Sequence, residues 1–319
     1  ENRAYIKCAL GELEKPNHIR YNVILERIKL LNTKVDTQAV SWRLAPFINA
    51  AGRMGKPEYA LRLLTSETRE EAFQLSEEVY NLNETRKSLT ESNFNIVCEY
   101  IKDNNCMSYP IIIVKSDLID RGLTGLIAGK VLSQYGKTAV ILYESKEDGV
   151  CTGSIRSRGD DNARDMLGHK NAAGFTVSID NFEKFAKKII KYASEENFNT
   201  SKDEKTYDLE LDFKDINMQF AEYLELFEPY GFANEEPVFF TNRVVINAIE
   251  KINKNNKIHL KLQLQKNNNK VNAIIWSSSE EECSKLEASN FINISYKIKI
   301  NRFNGSKEVK IYIENYDIN

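Results

Sequence analysis

At 319 residues, with 42% hydrophobic and 28% charged side chains, the chain is long enough for two domains, or three small ones, each with its own core. No run approaches the ~20 consecutive apolar residues of a membrane span, and no basic head followed by an apolar stretch marks an export signal, so the expected location is cytoplasmic. A net charge of −2 excludes a uniformly basic nucleic-acid binder, and five scattered cysteines with three histidines support neither a disulfide framework nor a zinc site.

Residues 1–105 carry helical signals. The clearest spans 67–102, where Leu75, Val79, Leu82, Leu89, Ile96 and Tyr100 recur at spacings of three and four and form one stripe of a long helix. Arg86 and Asn93 interrupt that stripe, which predicts a connecting helix packed on its neighbours rather than a coiled coil. Ahead of it, residues 43–55 read Arg-Leu-Ala-Pro-Phe-Ile-Asn-Ala-Ala-Gly-Arg-Met-Gly. Small residues flank Arg53, and Arg43, Asn49 and Arg53 offer donors suited to phosphate oxygens. The same run is equally a tight helix-loop-helix corner in which Arg53 caps a helix end.

Residues 106–200 alternate strand and helix signals, the pattern of an α/β domain. Strands are expected at 109–115, 138–143, 149–155 and 175–179, and helices at 122–135 and 182–192. Arg121 opens a glycine-containing helix start after a strand, where free backbone N–H groups and the helix dipole suit an anion. Ser154 and Arg156 are separated by one residue, so on a strand they share a face and can grip one phosphate together. His169 stands in a glycine-flanked turn before a strand; an exposed structural role is its ordinary alternative. The polar run 197–205 is the expected linker.

Residues 205–319 open with a short helix near 221–227 and then turn to strands at 244–249, 258–264, 271–276, 292–300 and 309–313. Five short strands with a polar outer face fit a small OB-like β-barrel. Charge is split within this region: eleven acids face two lysines between 203 and 236, whereas 251–270 holds six lysines and no acid. Such a split points to one basic face for a polyanion, or to a solvated lysine-rich surface. Lys257, Lys261 and Trp276 are candidates for backbone attraction and base stacking, although a strand tryptophan is more often core.

Taken together, these segments resemble the RecJ family of DHH phosphoesterases. The resemblance rests on Asn-Ala-Ala-Gly-Arg-Met-Gly at 49–55, Gly-Leu-Thr-Gly-Leu-Ile-Ala-Gly at 122–129, Gly-Ser-Ile-Arg-Ser at 153–157, Gly-His-Lys-Asn-Ala-Ala-Gly-Phe at 168–175 and Leu-Phe-Glu-Pro-Tyr-Gly-Phe at 226–232, all in the family's order. It implies α/β plus all-β architecture: a helical connecting segment (1–105), an α/β DHH-associated substrate-binding domain (106–200) and a C-terminal OB-like domain (205–319). It also implies a part in a 5′-to-3′ exonuclease of single-stranded DNA, acting in repair or recombination.

In that family two Mn2+ or Mg2+ ions activate water and are held by a DHH domain. This sequence has no Asp-His-His, so no metal ligand is expected in it, and its partners would be single-stranded DNA and a DHH domain of the same or another chain. The resemblance assigns Ser154, Arg156 and Arg53 to substrate phosphate and His169 to the scissile phosphate; Arg43, Asn49 and Arg121 are further contacts. One departure bears on His169: only residues 158–167 separate its segment from the Ser157 motif, where the family has a helix-bearing stretch. Two other readings stand beside this one, a non-catalytic single-strand-binding scaffold and a phosphodiesterase of short oligonucleotides.

Overall fold

The computed structural model describes residues 1–13, 15, 18–157, 172–196, 198, 206–231, 233–254, 257–289, 291–303 and 306–318. They form two compact units, one of Ala9–Asp203 and one that joins Glu1–Cys8 to Glu204–Asn319. Among the described residues no helix is long and apolar enough to cross a membrane.

In the first unit a helical layer leads into a four-stranded sheet. Its helices are α1 (Asn2–Leu13, whose first residues belong to the other unit), α2 (Ile19–Arg27), α3 (Thr37–Ala39), α4 (Ala45–Arg53), α5 (Pro57–Thr65) and α6 (Arg69–Asp103). Helix α6 has 35 residues, about 52 Å of helix. Thr68 starts it by accepting a hydrogen bond from the Glu71 amide, the usual N-cap arrangement. Its N-terminal half contributes Ala72, Leu75 and Val79 to a helical core with Val23, Ile24, Phe47 and Leu63. Its C-terminal half packs Phe94, Val97 and Ile101 on the sheet.

The sheet runs β1 (Ile112–Ser116), β2 (Ala139–Ser145), β3 (Val150–Arg156) and β4 (Ala172–Ser178) in that order. β1 and β2 are parallel; β2, β3 and β4 are antiparallel. The crossover from β1 to β2 is α7 (Thr124–Tyr135), which packs with α6 on one face through Ile127, Ala128 and Val131. Helix α8 (Phe182–Glu195) covers the other face with Ile189 and Ala193 against Val140, Leu142, Cys151 and Ile155. Apolar residues on both faces of β2 are what a strand covered by two helical layers requires.

The second unit begins with β5 (Leu209–Glu210) and α9 (Met218–Leu226), then β6 (Phe239–Lys254), β7 (Lys257–Lys266), β8 (Asn269–Ser278), α10 (Glu280–Glu287), β9 (Ile292–Phe303) and β10 (Ser306–Ile318). Pairing follows β5-β6-β7-β8-β10-β9, with β9 paired again to β6. Five strands, β6 to β10, thus return on themselves, with β8 and β10 parallel, the connectivity of an OB-like sheet. Leu260, Leu262, Leu264, Ile292, Ile294, Tyr296, Ile298 and Ile300 fill its interior, which is the alternation visible in the sequence.

Several strands run longer than the sequence expectation, and one helix was not expected. β6 extends to 16 residues because its ends pair with both β7 and β9. Helix α10 went unanticipated although Ser279 and Glu282 form a reciprocal capping box, the Ser-x-x-Glu signature of a helix start.

Candidate nucleic-acid interface

β3 alternates strictly: Cys151, Gly153 and Ile155 are buried, while Thr152, Ser154 and Arg156 share the half-buried opposite face. Gly153 has to be glycine, since a Cβ there would lie 2.5 Å from the Ile141 carbonyl oxygen. On the functional face, α7 begins beside Ser154, and the Thr124 and Ser154 hydroxyls are 3.1 Å apart. Gly125, one residue later, leaves the space that Arg156 fills: a Cβ on it would lie 3.0 Å from Arg156 Nη2 and 3.4 Å from Ser154 Oγ.

The end of α4 abuts the same helix start. Arg53 Nη1 donates to the Gly122 carbonyl at 3.3 Å, and a Cβ on Gly122 would strike the Arg53 carbonyl oxygen at 2.2 Å. Arg53, Arg121, Gly122, Thr124, Thr152 and Ser154 line one pocket of about 640 Å³. Sequence segments some 70 to 100 residues apart therefore converge because α4, α7 and β3 belong to one compact unit.

Electrostatically the pocket is unbalanced toward positive charge. Burial, and then the Arg53 charge, hold the Arg156 guanidinium below the usual arginine range. Arg86 on α6 is lowered in the same way, by burial first and by Arg53 second. Among the described residues the acceptors of these groups are the Gly122 and Ile155 carbonyls and the Asn83 side-chain oxygen, none of them a carboxylate, although the Glu84 charge acts on Arg86 from a distance. The α7 N-terminus adds its own positive dipole end. Guanidiniums that are short of water and set against one another are stabilised by an anion, and their fork geometry suits phosphate oxygens.

Arg86 is a residue that sequence reasoning did not assign to the site. Its signal was present as a polar break in the α6 stripe. Asn93, the other break, is buried and donates to Asp120 Oδ2 at 2.8 Å, anchoring the loop that precedes Arg121. The two interruptions of the apolar pattern thus place one residue within reach of the Arg53 charge and another on the loop that precedes Arg121.

The remaining candidates fall elsewhere. Arg43 donates to the Ile28 and Lys29 carbonyls at the end of α2, a helix C-terminal cap, and does not line the pocket. Asn49 is exposed on α4, one turn before Arg53. His169 lies outside the described residues. In the second unit Lys257 and Lys261 are exposed on β7, with Lys261 3.4 Å from Glu250. Trp276, which strand statistics favour as core, is 58% exposed on β8. Among the described residues no group of three or more His, Cys, Asp or Glu side chains could hold a metal ion.

Comparison with known proteins accords with this layout. The DHHA1 domain model matches residues 108–195 and the RecJ OB domain model matches residues 207–315. The single-stranded-DNA-specific exonuclease RecJ of Bacillus subtilis is 25% identical over 98% of this chain and 41% of its own length. RecJ of Thermus thermophilus is 28% identical over 75% of this chain and 35% of its own length. The chain therefore spans about two-fifths of the length of these relatives or less. The crystal structure of Thermus thermophilus RecJ with Mn2+ superposes with a TM-score of 0.77 at 24% identity, covering 99% of this chain and 46% of that one; a form with Mg2+ gives 0.74. These structural likenesses concern the fold.

Proposed function

We propose that the chain, whose residues 108–195 and 207–315 match the DHHA1 and RecJ OB domain models, is the substrate clamp of a RecJ-like 5′-to-3′ exonuclease of single-stranded DNA that acts in repair or recombination in the cytoplasm. The observation that carries this reading is the convergence of Arg53, Ser154 and Arg156 on the start of α7, with no carboxylate among their acceptors in the described residues. In this reading residues 1–105 connect the clamp to the catalytic part, 106–200 form the clamp and 205–319 hold more of the strand.

Ser154 and Arg156 take the phosphate at the 5′ end, Arg53 a second oxygen or the next phosphate, and Arg121 lies at the mouth. His169 would stand by the scissile phosphate, where a donor stabilises developing negative charge. Lys257, Lys261 and Trp276 contact the strand on the OB sheet. The ions, Mn2+ or Mg2+ by likeness to the RecJ crystal structures, belong to a DHH domain of the same or another polypeptide, and no metal step is assigned to the residues of this chain.

Binding of labelled oligonucleotides that differ only in a 5′-phosphate or a 5′-hydroxyl tests the reading. The chain should prefer the phosphorylated strand, and Arg156→Ala should erase that preference while leaving most of the affinity for the hydroxyl strand. Equal loss on both strands would remove Arg156 from end recognition, and absence of single-strand binding would overturn the clamp.

A further inference from the structure

Beside the Ser154 and Arg156 pair the sheet continues as a shelf with few side chains on it. In the β3–β4 register Arg156 stands opposite Ala172, Ser154 opposite Gly174 and Thr152 opposite Thr176, and directly opposed residues share one face of a sheet. Helix α7 covers that face over β2 and β3, while Gly174 and Thr176 on β4 are exposed. The Thr152 and Thr176 hydroxyls lie 3.3 Å apart. With Ser154 and Gly174 they line the same pocket as Arg53 and Arg121.

Gly174 is the residue that the fold does not explain. A glycine inside a strand costs stability and usually marks a bulge, a left-handed backbone or the close approach of something else. The register from Val150 to Arg156 runs without a shift, and Gly174 does not use a positive φ. No neighbour crowds it either. Among the described residues a Cβ there would meet only the Gly153 carbonyl oxygen, at 3.8 Å. That Cβ would instead stand in the pocket, beside Ser154 and Thr176, so glycine keeps the floor between the two hydroxyl positions clear.

Resting on the clamp reading above, we propose that Thr152 and Thr176 form a second phosphate subsite next to the one at Ser154. Two residues along an antiparallel strand advance about 6.8 Å, close to the interval between successive phosphates of an extended strand and within reach of the second phosphate of a 5′-diphosphate end. Serine and threonine hydroxyls are donors to phosphate oxygens. Within the pair one hydroxyl hydrogen is taken by the other oxygen, and the remaining one has no acceptor among the described residues. Arg53 and Arg121 in the same pocket supply the charge. The ligand is thus two adjacent phosphates, furnished by an internucleotide linkage or by a 5′-polyphosphate.

Displacement of a labelled single strand from the chain by dTMP, dTDP and the dinucleotide pTpT tests the subsite. At least one of the two-phosphate ligands should displace at roughly 10-fold lower concentration than dTMP, the effect of about one hydrogen bond to a charged group. An advantage of dTDP marks a polyphosphate end, and an advantage of pTpT marks the next linkage. Thr152→Val combined with Thr176→Val keeps branched strand residues and should bring these ligands to the level of dTMP. Gly174→Ala should do the same with a urea midpoint no lower than the parent's. The subsite is overturned by a parent chain with no advantage over dTMP, by an advantage that survives either set of substitutions, or by a Gly174→Ala chain that unfolds more easily. If dTMP still displaces the strand in those cases, only this inference falls; if neither dTMP nor any strand binds, the clamp falls and the subsite falls with it.

Discussion

The Thr124 and Ser154 hydroxyls, 3.1 Å apart, tie the first residue of α7 to the half-buried face of β3. Thr124 also donates to the Arg121 carbonyl at 3.3 Å, so in this arrangement the Ser154 proton is directed at Thr124. A phosphate bound by Ser154 would reverse the pair, with Thr124 donating to Ser154 and Ser154 to the anion. Thr124→Val keeps the branched shape and removes the relay. It should cost about 1 kcal/mol of stability in urea unfolding and weaken binding of 5′-phosphorylated strands more than of 5′-hydroxyl strands.

Gly122 and Gly129 both belong to the start and body of the α7 region but should answer alanine in opposite ways. A Cβ at Gly122 meets the Arg53 carbonyl oxygen at 2.2 Å, whereas at Gly129 nothing lies within 4 Å. Gly122→Ala should destabilise by about 1–3 kcal/mol through forced backbone shifts and lower strand affinity by moving Arg53. Gly129→Ala, inside the helix, should stabilise by about 0.5–1 kcal/mol and leave binding unchanged. Paired urea midpoints and anisotropy titrations check both.

Arg86 should count as one phosphate in the salt dependence of binding. For single strands the logarithm of affinity falls with the logarithm of salt at a slope of about 0.7 per phosphate neutralised. Arg86→Gln should therefore reduce the slope by roughly that amount, independent of whether the 5′ end carries phosphate. A slope identical to that of the parent chain would show that Arg86 serves only the packing of α6.

The OB unit should lose stability in alkali. Burial pushes the Tyr296 phenol up to about 12, only partly offset by its hydrogen bond to Thr241, and Tyr230 is likewise raised to about 12 by burial and nearby glutamates. A tyrosine in the unfolded chain ionises near pH 10, so the folded state keeps protons that the unfolded state releases. The contribution is complete below about pH 10 and is lost as pH climbs toward 12. For the fully buried Tyr296 it amounts to about 2–3 kcal/mol. Tyr296→Phe should flatten the decline in that window, seen as a smaller drop in urea midpoint between pH 9 and pH 11.5.

How much of this was legible in the sequence depends on whether the cue was local. The spacing of two between Ser154 and Arg156 and the alternation of Ile258 to Leu264 are local periodicities, and the strands follow them. The reading of 67–102 as one helix rests on the same kind of signal. Arg43 could not be sorted from Arg53 by pattern, because the carbonyls it caps, those of Ile28 and Lys29, lie just past the end of α2, fifteen and fourteen residues earlier. Arg86 was visible as an oddity in a stripe, but its setting depends on α4 bringing Arg53 toward it. Trp276 was named as a candidate for strand contact against the commoner core role of a strand tryptophan, and its outward face follows from the alternation of Val271, Ala273 and Ile275 inward along β8.

Helix α6 belongs at once to the helical core through Leu75 and Val79 and to the sheet core through Val97 and Ile101. Neither core can open without stripping one half of a helix whose other half is still held. The amides along α6 should consequently exchange with deuterium at a common slow rate from Leu75 to Ile101, as one cooperative block. The pocket walls carried by α4 and by α7 would then share a fixed spacing on the timescale of strand capture.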